Sequence, residues 1–143
     1  MRVATRSAKE FAVDGDQLEQ FAKQPEVLLD PGEYTLRIEQ VDIADDGLSI
    51  RPLCLVVGGS SDGEKVSPET YDFHKGGENA QAIRNLYGWG VSEQELTSTD
   101  GDVKSIGALL EGRTGRVSLQ QRKNKIGEIV NSHEPGAIEP VEL

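Results

Sequence analysis

Residues 30–59 read DPGEYTLRIEQVDIADDGLSIRPLCLVVGG, and the fold follows from how this stretch is divided. Tyr34, Leu36 and Ile38 alternate with Thr35, Arg37 and Glu39, the two-residue period of a strand with one buried face. Ala44 to Gly47, ADDG, supplies a tight turn of the Asp-Gly kind. Leu48 to Val57 then resumes as a second strand paired back on the first, so the stretch is expected to form a hairpin. The lone Cys54 lies in the apolar run LCLVV, where a small buried side chain is expected.

Working outward, GGSSDGE (residues 58–64) is a second turn, and Lys65 to His74 is a third strand with Tyr71 and Phe73 on one face. Pro68 marks its first half as an edge or a bulge, because proline cannot donate to a ladder. GENAQAIRNLYGWG changes to helical spacing, with Ala80, Ile83, Leu86 and Tyr87 on one side and Gly88 as the expected terminator. Ser92 to Glu95 fits a capping box. Val103, Ile106, Leu109 and Leu110 share the face of another short helix ending at Gly112. Val117 and Leu119 alternate with Arg116, Ser118 and Gln120 in a fourth strand, RKNKIGE is its turn, and EIVN returns as a fifth. Ahead of all these, Leu18, Phe21 and Ala22 predict a short helix from about Asp16 to Lys23, closed by Pro25.

The predicted fold is mainly β: a five-stranded, OB-fold-like Greek-key barrel with a helical insertion between strands three and four and a short N-terminal helix. An unclosed five-stranded sandwich is the alternative, since periodicity does not say which edges meet. Residues 1–30 are assigned to an N-terminal arm and helix, 31–132 to the barrel domain, and 133–143 to an acidic, Pro-containing tail not expected to pack firmly.

Composition narrows the function. The 143 residues hold 25 acidic and 15 basic side chains, a net charge of −10. No run approaches the roughly 18 apolar residues a membrane span requires, and the N-terminus lacks an apolar segment of the secretory kind; a cytoplasmic protein is expected. His74 and His133 lie in unrelated contexts, so no metal and no cofactor are expected. No phosphate loop, nucleophile elbow or dinucleotide fingerprint is present. Ser132, His133 and Glu134 are adjacent, which points their side chains to opposite faces of a strand; the protein is expected not to be an enzyme.

Against this acidic background Gly112 to Gly127, GRTGRVSLQQRKNKIG, has five cations and no acid. On an OB-fold the turn within it joins strands four and five, beside the usual ligand groove. Arg37, Arg51, Arg116, Arg122, Lys123 and Lys125 are therefore expected to line a path for a phosphate backbone. Trp89, Tyr71 and His74 are the candidate stacking surfaces for bases. A protein-interaction or assembly module on the same barrel, its acids docking a basic partner or mimicking nucleic acid and Trp89 its anchor, is the rival reading.

Three stretches, PGEYTLRIEQVDI, the passage from GEKV to YDFHKGG, and LLEGRTGRVSLQQRKNKIGEIVN, resemble a family of small bacteriophage proteins that includes OB-fold single-stranded DNA-binding proteins. The resemblance covers about residues 30–131. It implies a role in phage DNA replication or recombination in the cytoplasm of a bacterial host, with DNA contacts at Arg116, Arg122, Lys123 and Lys125. It further implies that the tail GAIEPVEL recruits replication or recombination proteins.

Overall fold

The computed structural model describes residues 14–74 and 79–141, side chains of 14–18 excepted. Among the described residues, seven antiparallel strands form one sheet that is not closed, accompanied by four helices. In chain order these are α1 (Asp14–Lys23), β1 (Gly32–Ile43), β2 (Ser49–Val56), β3 (Lys65–Val66), β4 (Tyr71–Asp72), α2 (Ala80–Gly88), α3 (Glu93–Ser98), α4 (Val103–Leu110), β5 (Thr114–Lys123), β6 (Ile129–Ser132) and β7 (Ile138–Pro140). The sheet runs β3-β2-β1-β5-β6, with β4 also on β2 and β7 also on β5.

The period-two stretches become the centre of the sheet. β1 pairs with β2 from Leu36↔Val56 to Ile43↔Ile50, and with β5 from Gly32↔Leu119 to Arg37↔Thr114. Leu36, Ile38, Ile50, Cys54, Val117 and Leu119 are buried together, and burial pushes the Cys54 thiol up. Ala82 and Leu86 of α2 and Ile106 and Leu110 of α4 pack onto this apolar face. The capping box is formed in full: Ser92 Oγ accepts from the Glu95 N–H, and the Glu95 carboxylate from the Ser92 N–H.

Two strands of the sequence reading are each divided in two. Buried Pro68 interrupts the third, leaving β3 and β4 as two-residue pieces that both pair with β2. The return from the last hairpin pairs with β5 first as β6 and then as β7, with residues 133–137 looping out between. Residues 133–141, the described part of the tail, therefore depart from the expectation that it would not pack firmly. His133 and Ile138 are buried, and Ile138 makes up for its polar neighbours by filling a space left by glycines. A Cβ on Gly115 would lie 3.0 Å from both Ile138 and the Trp89 ring.

Among the described residues no backbone ladder joins β3 or β4 to β6. Residues 26–29, between α1 and β1, lie in this seam. Val27 N–H donates to Lys65 O of β3 at 2.9 Å. On the other side the Asn131 side-chain amide of β6 donates to Val27 O and accepts from Leu29 N–H, at 2.9 and 3.0 Å. A chain segment and an amide side chain thus do what a ladder would do, satisfying the polar backbone on both sides.

α1 is fastened by Lys65, a buried lysine whose Nζ donates to Phe21 O at 2.9 Å and lies 4.5 Å from the centre of the Phe21 ring. A cation at the C-terminal carbonyls of a helix offsets the negative end of its dipole. Replacing Lys65→Met is expected to cost about 2 kcal/mol in urea unfolding. Amide exchange should also quicken in α1 before it does in β1; uniform protection across α1 and β1 would show that α1 is held by other contacts.

Candidate nucleic-acid interface

The cationic strip does not act as one surface. Arg113 turns inward, donating to Leu109 O, Gly90 O and the Glu95 carboxylate, and so ties α3 and α4 to the start of β5. Arg116 is exposed on β5, with Thr35 and Glu139 opposite it on the flanking strands. Arg122 at the far end of β5 donates from Nε and Nη2 to the two oxygens of Glu69, at 3.2 and 2.7 Å. Lys123 and Lys125 stand exposed at the hairpin tip, where Asn124 Oδ1 organises the turn by accepting from the Ile126 and Glu128 N–H groups.

The two arginines of the first hairpin are also held by acids. Arg37 bonds Glu39, and Arg51 bonds Glu26 at 2.8 Å and Asp42 at 3.4 Å. Among the described residues, Arg116, Lys123 and Lys125 have no ion-pair partner.

Arg51 and Arg122 nevertheless share a groove of about 420 Å³ along the seam. Its walls include Glu26, Glu69 and Asn131, and Leu28 and Ile129 lie in it 49% and 46% exposed. Ile126 at the adjoining tip is 78% exposed. A second groove of about 740 Å³ lies on the other side of the Glu69–Arg122 pair and is lined by His74, Gln120 and Glu134 among others. Exposed His74 is at this second groove, with its backbone N–H bonded to the Asn79 side chain.

Two of the expected stacking surfaces are corrected by their surroundings. Trp89 and Tyr71 are each only 1% exposed. Trp89 Nε1–H donates to the Tyr71 hydroxyl at 2.9 Å, and that hydroxyl is 2.7 Å from His133 Nε2. Both rings belong to the core, where a polar tip needs a partner; neither can stack a base, and Trp89 cannot anchor a partner protein. The Ser132, His133 and Glu134 side chains also separate, Ser132 Oγ to Glu69 at 2.7 Å and His133 Nε2 to Tyr71.

The first groove brings together Arg51 and Arg122, with Lys123 and Lys125 exposed on the β5–β6 hairpin outside its lining; His74 and the buried Tyr71 line the second groove, and Arg37, Arg116 and Trp89 line neither. Sequence reasoning missed Glu69, Ser132, Asn131, Leu28 and Ile129. The one available signal was Ile126 and Ile129, apolar residues in an otherwise polar hairpin.

Electrostatically, Glu69 is the centre of the site. Burial alone would raise its carboxyl, but hydrogen bonds from Arg122, Ser132 and the Thr70 N–H outweigh burial and hold it below the usual carboxylate range. Arg122 is correspondingly raised, chiefly by its bonds to Glu69. Among the described residues, no helix is long and apolar enough to cross a membrane. No protein-family model matches the chain, and no curated protein matches it.

Proposed function

We propose that the chain is a non-catalytic single-stranded DNA-binding protein on an OB-type barrel, acting largely without regard to sequence. Counting β3 with β4 as one interrupted strand, and β6 with β7 as another, gives five strands with helices between the third and fourth. The ladder order is in keeping with an OB barrel, and the hydrogen bonds of residues 26–29 to Lys65 of β3 and Asn131 of β6 support that reading at the edge that no ladder joins. The phage resemblance supports the same reading, including a role in replication or recombination inside a bacterial host and recruitment of partner enzymes.

The observation that carries the proposal is the β5–β6 hairpin, which presents Arg122, Lys123 and Lys125 beside a seam groove with Leu28 and Ile129 exposed. Cations at the rim would track phosphates, and the aliphatic side chains would take up base faces in place of aromatic platforms. Binding of this kind is modest and steeply salt-dependent.

Fluorescence anisotropy of labelled oligo(dT), titrated at low and at physiological salt, tests it. Lys123→Glu with Lys125→Glu is expected to weaken binding roughly tenfold or more and to flatten the log–log salt slope by about 1.4, two contacts at about 0.7 each. Neither lysine makes an ion pair among the described residues, so thermal stability should be unchanged. Absence of wild-type binding at low salt would overturn the proposal and leave Leu28, Ile126 and Ile129 as a protein-contact patch.

A further inference from the structure

Four hydrogen-bond donors converge on the Glu69 carboxylate. Arg122 supplies Nη2 at 2.7 Å and the Thr70 backbone N–H 2.9 Å, both to Oε1. Arg122 Nε at 3.2 Å and Ser132 Oγ at 2.7 Å reach Oε2. These donors come from the loop before β4, from β5 and from β6, so the arrangement is a cradle assembled across the seam rather than a surface ion pair. The Glu69 side chain keeps 16% of its surface exposed, at the boundary where the two grooves meet.

A phosphodiester is a monoanion presenting two terminal oxygens, and it meets a guanidinium in the same two-pronged way as a carboxylate. We infer that Arg122, Ser132 and the Thr70 N–H form a phosphodiester site that Glu69 occupies in the unliganded protein, and that a single strand lying along both grooves displaces it. This rests on the single-strand reading above and adds to it a named phosphate site and an internal competitor. The displaced carboxylate would turn into solvent at the groove mouth. Arg51, which also lines the first groove, is likewise held by acids, Glu26 and Asp42.

The exchange explains how an acidic chain could bind a polyanion selectively. A tethered carboxylate opposes weak or isolated anions, whereas a strand engaging several sites at once overcomes it. It also lowers the salt slope, because a freed carboxylate collects a cation as the phosphate sheds one.

The test compares wild type, Glu69→Gln, Arg122→Gln and the double variant by oligo(dT) anisotropy across a salt series, with thermal melts to confirm folding. Glu69→Gln is expected to bind on the order of tenfold more tightly, with a slope steeper by about 0.7, and Arg122→Gln should abolish both gains. Wild-type binding with no gain in Glu69→Gln would overturn the inference and make Glu69 a brace of the seam. Were Glu69→Gln to unfold, the wild-type Glu69 carboxyl carbon resonance decides: it should shift on saturation with oligo(dT), and an unmoved resonance overturns the inference.

Failure of the wild type to bind oligo(dT) at all would instead remove the single-strand reading. The cradle is then judged by dimethyl phosphate and inorganic phosphate. A saturable shift of the Arg122 Nε–H resonance in Glu69→Gln with the diester, weaker in wild type, supports the site. A response to inorganic phosphate alone, or none, overturns it.

Discussion

Trp89→Ala is expected to destabilise the protein by about 3 to 5 kcal/mol, lowering the melting temperature by roughly 10 °C or more for a chain of this size. The ring is 1% exposed and wedged against Gly115, where an added Cβ would lie 3.0 Å from it. Its removal leaves a cavity under β7, and the Tyr71 hydroxyl loses the N–H it accepts. The same substitution should leave oligo(dT) affinity within about twofold when measured well below the new melting temperature, since loss of a core side chain changes the folded fraction rather than the interface. Trp89→Phe, which restores most of the volume but not the donor, should recover about half of the loss. A stable Trp89→Ala protein with abolished binding would place the ring on the ligand face and contradict its burial.

Trp89 also shows where sequence reading reaches its limit. A bulky ring between two glycines can plug a core or meet a partner, and local sequence does not choose. The choice here is made by Gly115 and Ile138, which reach it only through the pairing of β5 with β7. What was legible is what repeats locally: Leu36 and Ile38, Val117 and Leu119, the Ser92–Glu95 box, and the break at Pro68. Each is set by backbone geometry within a few residues.

The charge pattern was legible only as composition. Arg122 and Glu69 are 53 positions apart and Arg51 and Glu26 are 25 apart, so no spacing rule links them. An acid-free stretch with five cations in the sequence thus folds into a surface on which acids from elsewhere hold part of the charge. The seam was hidden for a similar reason. QPEVLLD has neither helical nor strand period, because residues 26–29 are held by Lys65 O and the Asn131 amide rather than by a sheet of their own. The same seam gathers the buried polar groups of the core, and these make stability depend on pH.

Tyr71→Phe is expected to cost about 3 kcal/mol at pH 8, far more than loss of one hydroxyl at a surface. The proton assignments follow from the partners. His133 Nδ1 lies 2.9 Å from Glu134 O, and a carbonyl can only accept, so Nδ1 carries the hydrogen. In the neutral ring Nε2 then accepts from the Tyr71 O–H, whose oxygen accepts from Trp89 Nε1–H. Phenylalanine leaves both the indole N–H and the imidazole nitrogen buried without partners.

Protonating His133 disrupts this chain from the other side, because Nε2 would face the Tyr71 hydroxyl with a second hydrogen. Burial, the largest influence, lowers the His133 pKa below its ordinary value of 6.5, although the Glu134 carbonyl and the charges of Glu69 and Glu134 act to raise it. A depressed folded-state pKa means the unfolded chain takes up the proton first. The contribution is therefore complete above about pH 6.5 and declines as pH falls through 6.5 and on through the lower folded-state value. Glu69, also depressed, contributes in the same sense but in a separate window that opens only as pH falls toward and below 4.5.

Urea unfolding from pH 8 to pH 5 should accordingly show wild type losing stability, while His133→Gln, which keeps an acceptor for Tyr71 but cannot titrate there, stays nearly level. In Tyr71→Phe the imidazole stays buried, so the loss of stability on acidification should persist alongside the lower stability at pH 8. Comparing variants with wild type at each pH removes the general relief of acidic repulsion that lower pH brings to a chain of net charge −10. Parallel pH curves for wild type and His133→Gln would show that His133 is solvated and that the buried relay does not govern the seam.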